Sequence, residues 1–413
     1  MTKLFRTTVF FIALFLPILA AANLGPSWLT ELTVLASSSI TSAFIRILQL
    51  VSLPIVFLSI TTTLLNQKDL AELKNIGQKV AIYTVSTTLA ASLLAAILYH
   101  LIQPHLISTS ISSQANDQVF IYSNYITNLI PNNFFAAFVE QNVIGVMIIA
   151  FGFGIASFKI STGDRIKLGQ SLNAIYKIVF AATQSVLNYL PIVIWAFYAD
   201  LVLQAESIIP AMFQLSRYVM CVISANLIHA LITLPLLLRS HGVCARSLFN
   251  SMQPTLSIAF WSKSSSAALP SAISCLSTSE HCQARVAKIS MPLCISINMN
   301  ACAAFILITV HFVANLNGVN LTFIDSLAWV FIATLAAIGN AGVPMGCYFL
   351  AGALLTSFNI PLEFMGIILP IYGLIDMLES AINVWSDACV SSCVSQSAVV
   401  ESQNEGPSII PIR

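Results

Sequence analysis

Charge is what this sequence has least of. Lysine and arginine number 17 and aspartate and glutamate 16 in 413 residues, 8% in all, against about a quarter in a soluble domain. That scarcity excludes a soluble globular domain. A net charge of +1 leaves no basic surface, which excludes a nucleic-acid partner. The nine cysteines show neither a paired framework nor zinc-ligand spacing, so free thiols are expected. Cys389 and Cys393, one helical turn apart, read as two small residues on one helix face. No nucleophile–base pair or metal cluster stands out, so an enzyme is not expected. Four stretches, Asn23–Ser39, Gln103–Asn133, Gln204–Met212 and Ala314–Asp325, hold no lysine or arginine at all.

What is present is apolar. Hydrophobic residues make up 57% of the chain, and they form long runs. Uninterrupted spans read as Leu4–Ala22, Ile40–Leu65, Val80–Ile102, Phe134–Phe158, Ile175–Leu203, Phe213–Leu238, Ile289–Val313 and Phe364–Val394. Pro54, Pro191 and Pro235 are candidate kinks. Two further stretches are broken. Phe249–Cys275 is interrupted by Lys263–Pro270, and Ile324–Leu355 by Gly339–Pro344. Each half is shorter than the roughly 20 residues a membrane helix needs. Irregular backbone at membrane depth persists only where it is buried in protein or lines a watery cavity. Broken segments of this kind point to a transporter's binding site. The expected fold is an all-α polytopic membrane protein with eight transmembrane helices and two re-entrant helical hairpins.

The basic residues set the orientation. With Lys3 and Arg6 in the cytoplasm, Lys68, Lys74, Lys79, Lys159, Arg165, Lys167, Arg239, Arg246, Arg285, Lys288 and Arg413 all fall inside. The four stretches without basic residues fall outside. The positive-inside rule holds throughout only if both broken segments enter and leave on one side. Both termini are then cytoplasmic, and the modest loops suit a bacterial inner membrane. The first segment also resembles a signal peptide, but its apolar run is longer than a usual h-region, which favours a retained helix. The chain divides into residues 1–130 (helices 1–3), 131–246 (helices 4–6), 247–400 (both hairpins with helices 7 and 8) and a cytoplasmic tail, 401–413.

Three acidic residues lie within one span: Asp376, Glu379 and Asp387, with Ser380 and Asn383 between. Their steps of three or four put them on one helix face. An acidic side chain at mid-membrane costs of order 3 kcal/mol and needs a use or a partner. A polar face that glues helices together explains Ser and Asn well. It explains three carboxylates poorly, and a face toward a cation and substrate site explains them better. Asn298-Met299-Asn300, with Ser296, forms a second polar island. It reads equally as Na⁺ ligands or as interhelical hydrogen bonds. The Ser264–Ser266 turn beside a helix N-terminus is suited to a carboxylate.

Taken in order, these residues resemble the glutamate transporter family, the dicarboxylate/amino acid:cation symporters. The resemblance covers nearly the whole length. Ser264–Pro270 and Ala341–Pro344 are similar to the family's two hairpin tips. Asn298–Cys302 sits where the family has Asn-Met-Asp-Gly-Thr, and Asp376, Asn383-Val384 and Asp387 keep its last-helix spacing. The resemblance implies that Ser264, Ser265, Val343 and Asn383 meet the substrate's backbone carboxylate, that Asp376 holds its amino group, and that Cys302 and Ser380 line the pocket. It implies three cation sites, for Na⁺ or H⁺ as coupling ion and with no other cofactor. One uses Asn298, Asn383 and Asp387. A second uses Ser296 and Met299 with the backbone of Ala337, Ile338 and Asn340. A third uses Tyr83, Ser86, Thr87, Asn298 and Asn300. It also implies a homotrimer in the lipid bilayer that carries a small amino acid or dicarboxylate by an elevator movement.

Two positions depart from the family pattern. Asn300 replaces an Asp, which removes a charge from a cation site. Glu379 stands where acidic-substrate members carry Arg. That reversal suits a neutral or cationic substrate, or a protonated Glu379 that couples transport to H⁺. Alternatively, Glu379 pairs with Lys263 and touches no side chain of the substrate. The resulting expectation is a secondary active symporter whose substrate is not acidic. The alternative is an anion-conducting, channel-like member with degenerate ion coupling.

Overall fold

The computed structural model describes residues 27–65, 70–104, 131, 133–204, 208–338, 340 and 345–404. The first span Leu4–Ala22, Gly339, the tip Ala341–Pro344 with its Val343, and the tail beyond residue 404 lie outside the described residues. All regular structure among the described residues is helical. In chain order the helices are α1 Ser27–Leu65, α2 Leu70–Ile102, α3 Phe134–Val139, α4 Val143–Ala156, α5 Thr162–Leu187, α6 Leu190–Gln204, α7 Ile208–Ile228 and α8 Leu234–Ser240. There follow α9 Ala245–Ser262, α10 Ser265–Thr278, α11 Ala284–Ile297, α12 Asn300–Leu316, α13 Phe323–Ile338, α14 Gly346–Ser357 and α15 Met365–Asn404. Five stretches among the described residues are long and apolar enough to cross a membrane, or six if the bent α5–α6 pair is one span.

Several spans that read as continuous are broken. Phe134–Phe158 divides between α3 and α4, where Gln141 takes a left-handed φ of 56° and the Asn142 side chain accepts from the Gly145 N–H at 2.8 Å. That bond is a helix N-cap, which competes locally with helix continuation. Ile175–Leu203 bends by 53° at Asn188-Tyr189, and Pro191 sits in the first turn of α6, where a missing N–H costs nothing. Phe213–Leu238 contains a wide π turn, His229–Thr233, with Pro235 in the first turn of α8. Pro54 lies inside an unbroken α1. The most consequential break is in Ile289–Val313, where Asn298 and Met299 separate α11 from α12.

The first broken segment is less broken than its sequence suggests. Only Lys263-Ser264 interrupts it, because Ser264 caps α10 by accepting from the Ala267 N–H, and Pro270 lies well inside α10. Lys263 turns the chain with a left-handed φ of 54°. The two helices then run back along each other, joined by a 2.8 Å bond between Thr255 and Ser271. α12 is the hub of the bundle. Every residue from Asn300 to Ala314 is buried, as expected of a helix apolar on all sides. It packs against α2, α13, α14 and α15. The α15 stretch from Asp376 to Asp387 carries its acidic face inward, onto this hub and the α11–α12 break.

Candidate functional site

The break between α11 and α12 positions a polar centre. Asn298 and Met299 have non-helical ψ angles of 74° and 61°, so the first N–H groups of α12 need partners from elsewhere. Asn383 on α15 supplies one: its Oδ1 accepts from the Ala301 N–H at 2.9 Å. Asn383 is therefore a cap delivered from another helix. Its Nδ2 donates to the Cys302 sulfur at 3.4 Å.

Below the break lies a fully buried network. Asn298 Nδ2 donates to Asp387 Oδ1 and to Ser386 Oγ, both at 2.9 Å. Asn300 Nδ2 donates to Ser386 at 2.6 Å and faces His229 Nε2 at 3.0 Å. The Asn300 oxygen accepts from Thr88 at 2.6 Å and from Thr87 at 3.4 Å, while Thr87 also reaches the Asn298 oxygen at 3.2 Å. Asp387 Oδ2 is buried and has no hydrogen-bond partner among the described residues. A buried ionised carboxylate left half-satisfied demands a counter-charge or a proton. A hard cation with oxygen ligands fits that demand. The neutral Asn300 oxygen is already occupied by two hydroxyls.

Other residues of the expected cation sites are placed differently. Tyr83 bonds His241 Nε2 at 2.7 Å and Ser397 at 3.0 Å, not Asn298 or Asn300. Ser86 is exposed, one step around α2 from Thr87. Ser296 donates back to the Pro292 carbonyl at 2.9 Å. Met299 is buried at the break, and Ala337 accepts from the Asn340 N–H at 3.0 Å as α13 ends near Ile338.

Above the break, α14 and α15 close on α12. Cys302 and Cys347 form a disulfide, 45 residues apart in the chain. This corrects the expectation of free thiols for these two, although the other seven cysteines are free. Asn340 Nδ2 donates to both sulfurs, at 3.3 Å and 3.1 Å. Glu379 is 1% exposed. Its Oε2 accepts from the Tyr372 hydroxyl at 3.3 Å, and its Oε1 has no partner among the described residues. Asp376 is buried, one turn before Glu379 on the same helix face. Ser380 is buried on the same helix face.

Among the described residues no ion pair joins Lys263 to Glu379. The Lys263 Nζ lies 3.2 Å from where a Cβ on Gly373 would stand, one turn before Asp376. Ser264 and Ser265 sit at the first hairpin's turn, with Ser265 buried. Of the basic residues that fall within spans, Arg46, Lys177 and Lys263 are exposed and Arg217 is half-buried, whereas Asp376, Glu379 and Asp387 are inside.

Sequence reasoning missed Tyr372, Ser386, Thr88, His229 and Cys347. Tyr372 and Ser386 were legible, because they extend the same acidic face of α15 at helical spacing. Thr88 follows Thr87 on α2. His229 and Cys347 carry no local signal, since only packing brings them to Asn300 and Cys302.

A helical bundle with a broken central helix and a buried acidic stripe defines a multi-span membrane transporter, not an enzyme. The chain belongs to the Sodium:dicarboxylate symporter family, whose profile matches residues 7–397. It is similar to neutral amino acid transporter B(0) of Mus musculus, 26% identical over 250 residues, which are 60% of this chain and 45% of that protein. The protein of that name from Homo sapiens is 23% identical over 410 residues, 89% of this chain and 75% of the relative. An excitatory amino acid transporter of Caenorhabditis elegans is 28% identical over 253 residues, 60% of this chain and 49% of the relative. The chain thus spans about half the length of the mouse and worm relatives in those matches.

Proposed function

We propose that this protein is a cation-coupled symporter for a small amino acid without an acidic side chain. The observation that carries the reading is Glu379. It is buried, one of its oxygens lacks a partner among the described residues, and no ion pair joins it to a basic residue there. A second carboxylate brought to this end of the pocket would meet another carboxyl group in place of a cationic partner. The relatives named as neutral amino acid transporters support the same substrate class.

In this reading Asp376 holds the substrate's amino group, and Ser264, Ser265, Val343 and Asn383 receive its carboxylate. Cys302, Ser380 and Glu379 face its side chain. Asp387 with Asn298 and Asn383 takes the coupling ion, Na⁺, because Asp387 supplies both the charge and a free oxygen. Ser296, Met299 and the Ala337–Asn340 backbone form a second ion site. The eight-span topology with two hairpins belongs to this proposal, as do cytoplasmic termini, the homotrimer and the elevator movement. The divided basic residues and the folded-back α9–α10 pair support the topology.

The test is uptake into proteoliposomes of the purified chain under an imposed Na⁺ or H⁺ gradient, with aspartate, serine, lysine and succinate as the panel. Accumulation of serine or lysine without aspartate or succinate is expected. Aspartate or succinate accumulation overturns the substrate assignment. Equilibration of solutes without accumulation overturns symport in favour of a channel.

A further inference from the structure

The first turns of α12 and α14 carry sulfur chemistry that amino acid transport does not require. Cys302 begins α12 and Cys347 begins α14, and each is at most 3% exposed. The ligand atoms Cys302 Sγ, Cys347 Sγ and a Glu379 oxygen all lie within 4.8 Å of one another. Glu379 Oε1 is buried and without a hydrogen-bond partner among the described residues, an acceptor left unused. Asn340 places an amide N–H against both sulfurs, which favours sulfur as thiolate.

We propose that, once the disulfide is reduced, Cys302, Cys347 and Glu379 chelate a thiophilic divalent cation of the Zn²⁺ or Cd²⁺ class. Two thiolates and one carboxylate within 4.8 Å of one another offer three donors to one ion. That donor set is the pattern of borderline-soft metals, which take Cys and Glu in tetrahedral geometry. Two thiolates on one tetrahedral Zn²⁺, each at about 2.3 Å, stand about 3.8 Å apart. Sulfurs now joined need only separate to non-bonded contact to reach that spacing. The redox step balances. A dithiol reductant gives two electrons and two protons, the S–S bond breaks, two S–H groups form, and the reductant leaves as a disulfide. The incoming cation then displaces both thiol protons to solvent. The oxidised pocket has no thiolates and takes no such cation, so redox state decides whether metal enters. Metal in this position occupies the place assigned above to the substrate side chain. Its interference with transport rests on that assignment, but the metal site itself does not.

The experiment uses the full chain in detergent, reduced with a dithiol, freed of reductant and titrated with Cd²⁺. The cadmium–thiolate charge-transfer band in the ultraviolet is followed. One equivalent of saturable absorbance is expected in the reduced wild type and none at this site in the oxidised wild type, which has the same sequence and fold. Cys302→Ser and Cys347→Ser each lose the band, and Glu379→Gln keeps it with affinity at least tenfold weaker. Equal absorbance in reduced and oxidised protein, or in wild type and both Cys→Ser variants, overturns the proposal. So does a reduced wild type that shows no band. Uptake by reduced proteoliposomes is then measured with and without Cd²⁺. Inhibition only in the reduced state supports overlap with the substrate. Absence of uptake from every sample speaks against the transport reading, while the absorbance still decides the metal site.

Discussion

Replacing Glu379 by Gln isolates the charge on which the substrate assignment depends. The amide oxygen can still accept from the Tyr372 hydroxyl, now 3.3 Å from Oε2, so local geometry is retained and charge is the main variable. Two like charges about 4–6 Å apart, at an effective dielectric near 20, repel by about 3–4 kcal/mol. At about 1.4 kcal/mol per decade, that is two to three orders of magnitude in the affinity for an acidic substrate. The assay is inhibition by aspartate of the uptake of the best substrate in the panel. Glu379→Gln should lower the aspartate inhibition constant by about 100-fold and leave serine within a few-fold. Lysine, if carried, should weaken. An aspartate constant unchanged within about threefold would mean that Glu379 bears no charge toward the substrate, and the argument from like charge would collapse.

Asp387→Asn should raise the Na⁺ concentration for half-maximal uptake by at least about tenfold, because it removes the carboxylate charge beside Asn298; a Na⁺ titration of initial rates decides. Ser386 accepts from both Asn298 and Asn300, so Ser386→Ala strands two buried donors and should cost about 1–3 kcal/mol, read as a lower unfolding midpoint in detergent. Ser264→Ala should cost about 0.5–2 kcal/mol through loss of the α10 cap, and Ser264→Gly only a few tenths, which a thermal melt of both variants separates. In Gly366→Ala the new methyl group meets the ring of Phe197, and this overpacking should destabilise by about 1–3 kcal/mol in the same melt.

The acidic stripe of α15 is legible in the residues alone, because helical periodicity is local. Residues 376, 379, 380, 383 and 387 share a face whatever that face packs against. Breaks are harder to read. Lys263-Ser264 stands out as a polar interruption, but Asn298-Met299 lies within a run apolar enough to pass as a continuous span. What stops the helix there is a set of side-chain bonds from α15 and α2, invisible to a window of sequence. The same holds for Asn142, whose cap divides a span that composition alone makes continuous.

By itself the sequence determined the membrane class, where the chain is apolar enough to lie in a membrane, and the carboxylates that must face inward. Each follows from transfer energies and periodicities that act within about 20 residues. The tertiary structure decided which groups those carboxylates meet. It paired Cys302 with Cys347, brought the Tyr372 hydroxyl to Glu379, and brought His229 to Asn300. Apart from Tyr372, those partners come from helices distant in sequence, and nothing in the local chain specifies them. They are fixed by the packing of α12 at the centre, where most buried polar groups find their partners across a helix interface.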